Sequence, residues 1–132
     1  MHYVRIYTDP DGESHFEDVT LPTEQRPSPV STALAELTAP LRTAAATFRR
    51  VVVDHPGEPH PAPRRQLVVH LRGEAEVEVS DGEVRRFGPG SVVLVEDLAG
   101  KGHVTRRVGE QPRETLMIAL DDAPRSPEKR WT

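Results

Sequence analysis

The sequence predicts an all-β, single-domain protein, and three observations carry that prediction. Short runs rich in β-branched and aromatic residues recur along the chain, most of them closed by a Gly, Asp-Gly or Pro-Gly turn. Outside residues 31–47 there is no apolar stripe with a 3.6-residue period. The length, 132 residues with 36% hydrophobic content, suits one core.

Taken in order, HYVRIYT at 2–8 alternates, DPDG at 9–12 is a turn, and SHFEDVTL at 14–21 alternates again, so a hairpin opens the chain. Residues 22–47 break the pattern. TEQRPSPVS carries two prolines, and ALAELTAPLRTAAAT is rich in alanine, which predicts a long loop with one short helical turn around 32–38, stopped by Pro40. That segment is either a lid over a cavity mouth or a wrap around the outside. TFRRVVVD at 47–54 is a strand, and HPGEPHPAP at 55–63 is a rigid proline-rich loop. QLVVHLRG (66–73), EAEVEVSDG (74–82), EVRRFGPG (83–90), SVVLVED (91–97), GHVTRRVG (102–109) and ETLMIALDD (114–122) complete eight or nine strands, the signature of a sandwich or barrel. The tail at 122–132 loses the pattern and is expected to be loose, with Trp131 as an anchor.

The bulk numbers narrow the partners. A net charge of −4 offers no basic field for nucleic acid. Arginine outnumbers lysine fifteen to two, and the pairs Arg49-Arg50, Arg64-Arg65, Arg85-Arg86 and Arg106-Arg107 are expected as solvated charges on strands that discourage edge-to-edge pairing. The absence of cysteine excludes disulfides, thiolate nucleophiles and Cys-ligated metals. No apolar run approaches the roughly 18 residues of a membrane span, and MHYVRIYTD reads as a strand rather than a signal peptide, so a soluble, cytoplasmic protein is expected.

Residues 60–103 resemble the cupin family. The turn order carries the resemblance: Asp81-Gly82, then Gly88-Pro89-Gly90, then a strand, then Gly100-Lys101-Gly102-His103. It implies a small single-domain jelly-roll barrel over residues 1–121, with a two-motif core at 47–121. Anchored at Gly73, the family's first motif places His60 on its first histidine, Ala62 on its second and Gln66 on its glutamate; the second motif places His103 on its histidine. Leu98 and Arg107 stand where that motif has proline and asparagine. The resemblance thus implies a metal set reduced to His60, Gln66 and His103, one anionic ligand having become a neutral amide and another position having no donor. The expected cofactor is either none or a single divalent iron, zinc or manganese.

Without metal, His60 and His103 still titrate near neutrality and serve as acid–base candidates. Gln66 can hydrogen-bond a carbonyl or hydroxyl. Strand parity puts His70 on the face of Gln66, as a pocket residue or a satisfied core histidine. Tyr3 and Arg5, with Tyr7, share a face of the first hairpin and join Gln66 and His70 as substrate-binding candidates; parity does not say which face is inward. His15 and His55 remain free candidates. Glu96-Asp97 and Lys101 form either a mouth-lining turn or a solvated one, and Arg64, Arg65 and Lys101 raise the option of a phosphate contact. Three functions follow: a small-molecule enzyme of isomerase, cyclase or lyase type, similar to the small cupins that close or rearrange rings in bacterial secondary metabolism; a metal-dependent cupin such as a dioxygenase; or a non-catalytic ligand-binding or sensing module. The resemblance also implies a homodimer paired through residues 2–8 or 14–21.

Overall fold

The computed structural model describes residues 1–55 and 57–121, and among them there are eleven strands and no helix. The expectation about the tail and Trp131 lies outside the described residues. The opening hairpin forms as its alternation requires, β1 (His2–Thr8) pairing antiparallel with β2 (Ser14–Thr20). The strands β6 (Gln66–Arg72), β7 (Glu74–Val79), β8 (Val84–Phe87), β9 (Val92–Val95), β10 (His103–Val108) and β11 (Arg113–Leu120) fall where the β-branched runs put them, whereas β5 (Thr43–Val51) starts earlier than the expected 47–54 and ends before Val52 and Val53.

The segment 22–47 corrects the sequence reading. In place of a helical turn, β3 (Glu24–Pro27) pairs with β4 (Leu34–Leu37) as a small exposed hairpin, and the alanines at 44–46 belong to β5. A four-residue LAEL is far below the length at which an isolated helix is stable in water, and Leu34 and Leu37 are exposed, with no core on which to pack a helix. Pairing with β11 supplies the backbone hydrogen bonds of the alanines and overrides their helical preference. Leu21 and Leu41 pack with Tyr3, Leu67, Leu94 and Leu120 on one face of the larger sheet. There the segment wraps the outside of the domain.

Two sheets make the body. The larger runs β2-β1-β9-β6-β11-β5, with β1 parallel to β9 and the other pairs antiparallel; the smaller runs β10-β7-β8. Alternation sorts their side chains. Val4, Ile6, Val93 and Val95 of the larger sheet meet Val77, Val79 and Phe87 of the smaller in the core between them. Tyr3, Leu67, Leu94 and Leu120 face the opposite way. Both faces of the larger sheet are therefore covered, which explains why VVLV reads as a continuous apolar run. The sheets are open: β2 and β5 are the edges of the larger. Since β1 has neighbours on both sides, only β2 of the two segments expected at a dimer interface keeps an unpaired edge.

The arginine pairs split by parity. Arg50 reaches Glu114 at 3.0 Å and Arg106 reaches Glu78 at 3.0 Å, both near solvent, where such pairs contribute about 0–1 kcal/mol. Arg65 is half-covered and grips Glu96 at 2.5 Å, while Arg5 holds the other oxygen of Glu96 at 2.6 Å. Burial alone would push the Glu96 carboxyl up; hydrogen bonds from Arg65 and Arg5 outweigh it and hold Glu96 below its ordinary range.

The loop before β10 is set by close approach. Gly102 has φ +71°, and a Cβ there would overlap the His60 carbonyl. Gly82, with φ +96°, has open space around the same position. Gly82→Ala therefore meets backbone strain alone, about 1 kcal/mol, whereas Gly102→Ala must also displace the His60 backbone, about 2–4 kcal/mol in all. Thermal unfolding of the two variants side by side measures the difference. Equal losses would mean the His60 segment yields freely.

Candidate functional site

A cavity of about 440 Å³ opens between the sheets. One wall is the inner face of the larger sheet, and its rows can be read from strand register. Ile6, Val95 and Gln66 form one row, since Ile6 pairs with Val95 and Val95 with Gln66. Val93, Val68 and Met117 form the next. His70, Thr115 and Arg49 form the third, with Arg113 one inward position further along β11. The opposite wall carries Val77, His103 and Thr105, with buried Ala62, and His60, Asp54 and His55 complete the lining on the more open side.

The proline-rich loop is tied to the approach to β10 by backbone. His60 and His103 exchange N–H···O bonds at 3.1 Å each way, and the Ala62 N–H donates to the Asp97 carbonyl at 2.9 Å. This brings His60 and His103 together with ring centres 5.8 Å apart. His60 is exposed and its Nδ1 lies 3.2 Å from the Glu58 carbonyl. His103 is mostly covered, and its Nδ1 lies 2.6 Å from Oδ2 of Asp97, which has no exposed surface at all. The second oxygen of Asp97 is buried with no hydrogen-bond partner among the described residues. A carboxylate on one ring nitrogen fixes the tautomer, with Nδ1 carrying the proton and Nε2 keeping the lone pair.

Ser14 braces this turn. It has no exposed surface, its Oγ donates to the Gly102 carbonyl at 2.6 Å, and Ser80 bonds to it from the end of β7. Lys101 pairs with Glu13 beside it, so Lys101 serves the frame rather than the cavity. In the sequence Asp97 is visible only as half of an acidic pair in a turn. Parity does not extend through a loop, so nothing local distinguishes Asp97, turned inward onto His103, from Glu96, turned toward Arg5 and Arg65.

His70 is buried and stacks on Phe87, ring centres 5.8 Å apart. Burial, with a smaller contribution from the charge of Arg113, pushes its imidazole down to about 4, so it is neutral at pH 7. Neither His70 nor Gln66 has a side-chain hydrogen bond to another described residue, and both line the cavity. Two polar groups left open on the cavity wall are available to a ligand. His70 is thus a pocket residue, not a core histidine bonded to its surroundings.

Tyr3 and Arg5 lie elsewhere. Tyr3 is buried on the outer face of the larger sheet, and Arg5 is engaged with Glu96 and stacked over Tyr7 at 4.3 Å. Neither lines the cavity, because Val4 and Ile6 take the inward positions of β1. His15 is held at 2.6 Å by Asp9 and 2.7 Å by Asp81 on the hairpin, and these hydrogen bonds raise its pKa above 6.5. Sequence reasoning misses Arg113 and Thr115, although the alternation Arg113, Thr115, Met117 is present; the run ETLMIALDD begins one residue after Arg113, where β11 has already started.

Of the residues implied as metal ligands, His60 and His103 stand side by side, Gln66 lines the same cavity with one amide oxygen, and Ala62 has no donor; the bond from His103 Nδ1 to Asp97 leaves its Nε2 free. Among the described residues no group of three His, Cys, Asp or Glu side chains is placed to hold a metal ion. No described helix is long and apolar enough to cross a membrane. No protein-family model matches this chain, and no curated protein matches it.

Proposed function

We propose that this chain is a cupin-like jelly-roll enzyme that moves protons on a small molecule bound between its sheets, in a reaction of the isomerase, cyclase or lyase class. One observation carries the reading: a histidine oriented by a fully buried aspartate, His103 on Asp97 at 2.6 Å, on the wall of a cavity large enough for an organic ligand.

In this reading Asp97 accepts the Nδ1–H of His103 and leaves Nε2 as the base. Nε2 takes a proton from carbon or hydroxyl of the ligand and returns it elsewhere on the same molecule, so no external reductant or oxidant is needed. The positive charge formed on the ring lies beside the Asp97 carboxylate. Gln66 donates an amide N–H to a carbonyl oxygen on which negative charge develops, and neutral His70 donates or accepts further along the same wall. The valines, Ile6 and Met117 exclude water from these contacts, which strengthens them. His60 at the rim is the second acid–base group. A metal-dependent reading needs a ligand beyond His60, Gln66 and His103, and elemental analysis of the purified protein tests it: the donor set predicts well below one equivalent of iron, zinc or manganese.

The experiment for the acid–base reading is proton exchange. A panel of open-chain and cyclic carbonyl compounds is incubated with the protein in D2O, and the loss of signal at acidic C–H positions is followed by NMR. The wild type is expected to exchange at least one of them, and His103→Ala is not. Exchange unchanged in His103→Ala overturns the assignment. A panel bound but never exchanged favours a binding module.

A further inference from the structure

Arg113 is a buried guanidinium with no side-chain hydrogen bond or contact ion pair among the described residues. It opens β11 and lines the cavity on the same face as Thr115 and Met117, and it is 7% exposed. It makes no ion pair and no side-chain hydrogen bond with the described residues, and its Nε is buried and unsatisfied. A buried charge with no hydrogen bond and no contact ion pair is costly, and guanidinium groups in that position are ordinarily paired. The acid whose charge acts on it is Asp54, which makes no contact ion pair with it and whose Oδ2 accepts the backbone N–H of Arg107. Arg49, on the neighbouring strand and in the row of Thr115 and His70, adds a second guanidinium to the same wall. Burial lowers the pKa of Arg113 below its ordinary value; the Asp54 carboxylate, the strongest charge acting on it, opposes this, while the like charges of Arg49 and Arg107 add to it, and a guanidinium remains charged at neutral pH under such conditions. With two guanidinium groups, Arg113 and Arg49, against one carboxylate, Asp54, this part of the lining carries an excess positive charge.

We propose that Arg113 is the recognition group for a ligand carboxylate, so that the substrate is a small organic acid. Its carboxylate takes the planar fork of Arg113 with Arg49 beside it, and its apolar body lies along Val51, Val68 and Met117 toward His103. A carboxylate suits the site better than a phosphate dianion: one buried fork offers two parallel N–H donors, matching two oxygens, and Arg113 and Arg49 are the only lysine or arginine side chains among the described lining residues. The inference rests on reading the cavity as a ligand site. It does not depend on the reaction that His103 performs.

The test is binding, kept apart from turnover. Benzoate, cinnamate and octanoate are compared with their primary amides by ligand-observed NMR and calorimetry, on wild type, Arg113→Met, Arg113→Lys and His103→Ala. At least one acid is expected to bind wild type ten times or more tighter than its amide. His103→Ala keeps that preference, Arg113→Lys keeps part of it, and Arg113→Met loses it. Because the guanidinium is buried and has no hydrogen bond or contact ion pair to lose, Arg113→Met is also expected to melt at or above the wild-type temperature. Acids and amides binding alike, no acid binding at all, or a preference retained in Arg113→Met each overturn the proposal. So does a fall in Tm of 5 °C or more in Arg113→Met, which would make the side chain a structural strut, and so does inorganic phosphate displacing the acids at equal concentration. If the acid preference holds in His103→Ala and exchange also survives there, the acid–base reading fails while the carboxylate site stands.

Discussion

Asp97→Asn is expected to lower turnover by about 10³–10⁴-fold while leaving ligand affinity and fold intact. The physical reason is tautomeric. An asparagine at this position would present either an amide N–H, which turns the proton onto Nε2 and removes the base, or a neutral carbonyl, which holds Nδ1–H but no longer faces the ring with a charge. Asp97 never touches the substrate; it is a positioning residue. Its loss should therefore appear in kcat with little change in KM. Stability should not suffer in proportion, because the substitution removes a buried carboxylate whose second oxygen is already unpaired. His103→Ala should show a comparable loss and partial rescue by added imidazole, whereas Asp97→Asn should not respond to it. If Asp97→Asn changed KM as much as kcat, or unfolded the protein, the aspartate would be a structural group and the dyad would lose its meaning.

The second large effect is on stability in acid. The unfolded imidazole titrates near 6.5 and folded His70 near 4, so between these values the unfolded chain binds more protons than the native one. Native stability from this group is fully present above 6.5 and declines as pH falls toward 4. The expected loss by pH 4.5 is about 2–3 kcal/mol. Other groups act in other windows. Asp9, Asp18, Asp81 and Glu96 have folded pKa values below their ordinary 3.8 to 4.5, so their contributions are lost only at lower pH. His15 has a raised pKa, and its contribution is complete below 6.5 and lost as pH rises past its folded value. Urea unfolding between pH 6.5 and 4.5 therefore reads His70 with little interference. In His70→Phe the slope should flatten. A slope unchanged in that variant would place the titration elsewhere.

Both predictions use residues that the sequence presents unequally. His60, His103, Gln66 and His70 are legible as candidates because their types carry chemistry, and because parity along QLVVHLR places 66 and 70 on one face. The structure does gather all four on one cavity. The role of Asp97 is not legible, since it sits in a turn where no periodicity says which way a side chain points. Arg113 is hidden for another reason: on a strand end an arginine ordinarily reaches solvent, and only its burial in the cavity lining shows that it does not.

The sequence by itself determined the strand positions, the turns and the two sets of alternating side chains, because backbone pairing and the period of two are local properties written in β-branched runs and glycines. It did not determine which set faces inward. For β1 this choice moved Tyr3 and Arg5 away from the cavity, and for segment 22–47 it replaced a helical turn by an exposed hairpin. Those outcomes depend on which surfaces are left to be covered once the sheets pack. The pairing of His103 with Asp97, and the isolation of Arg113, are likewise products of contacts between distant segments, which no local pattern encodes.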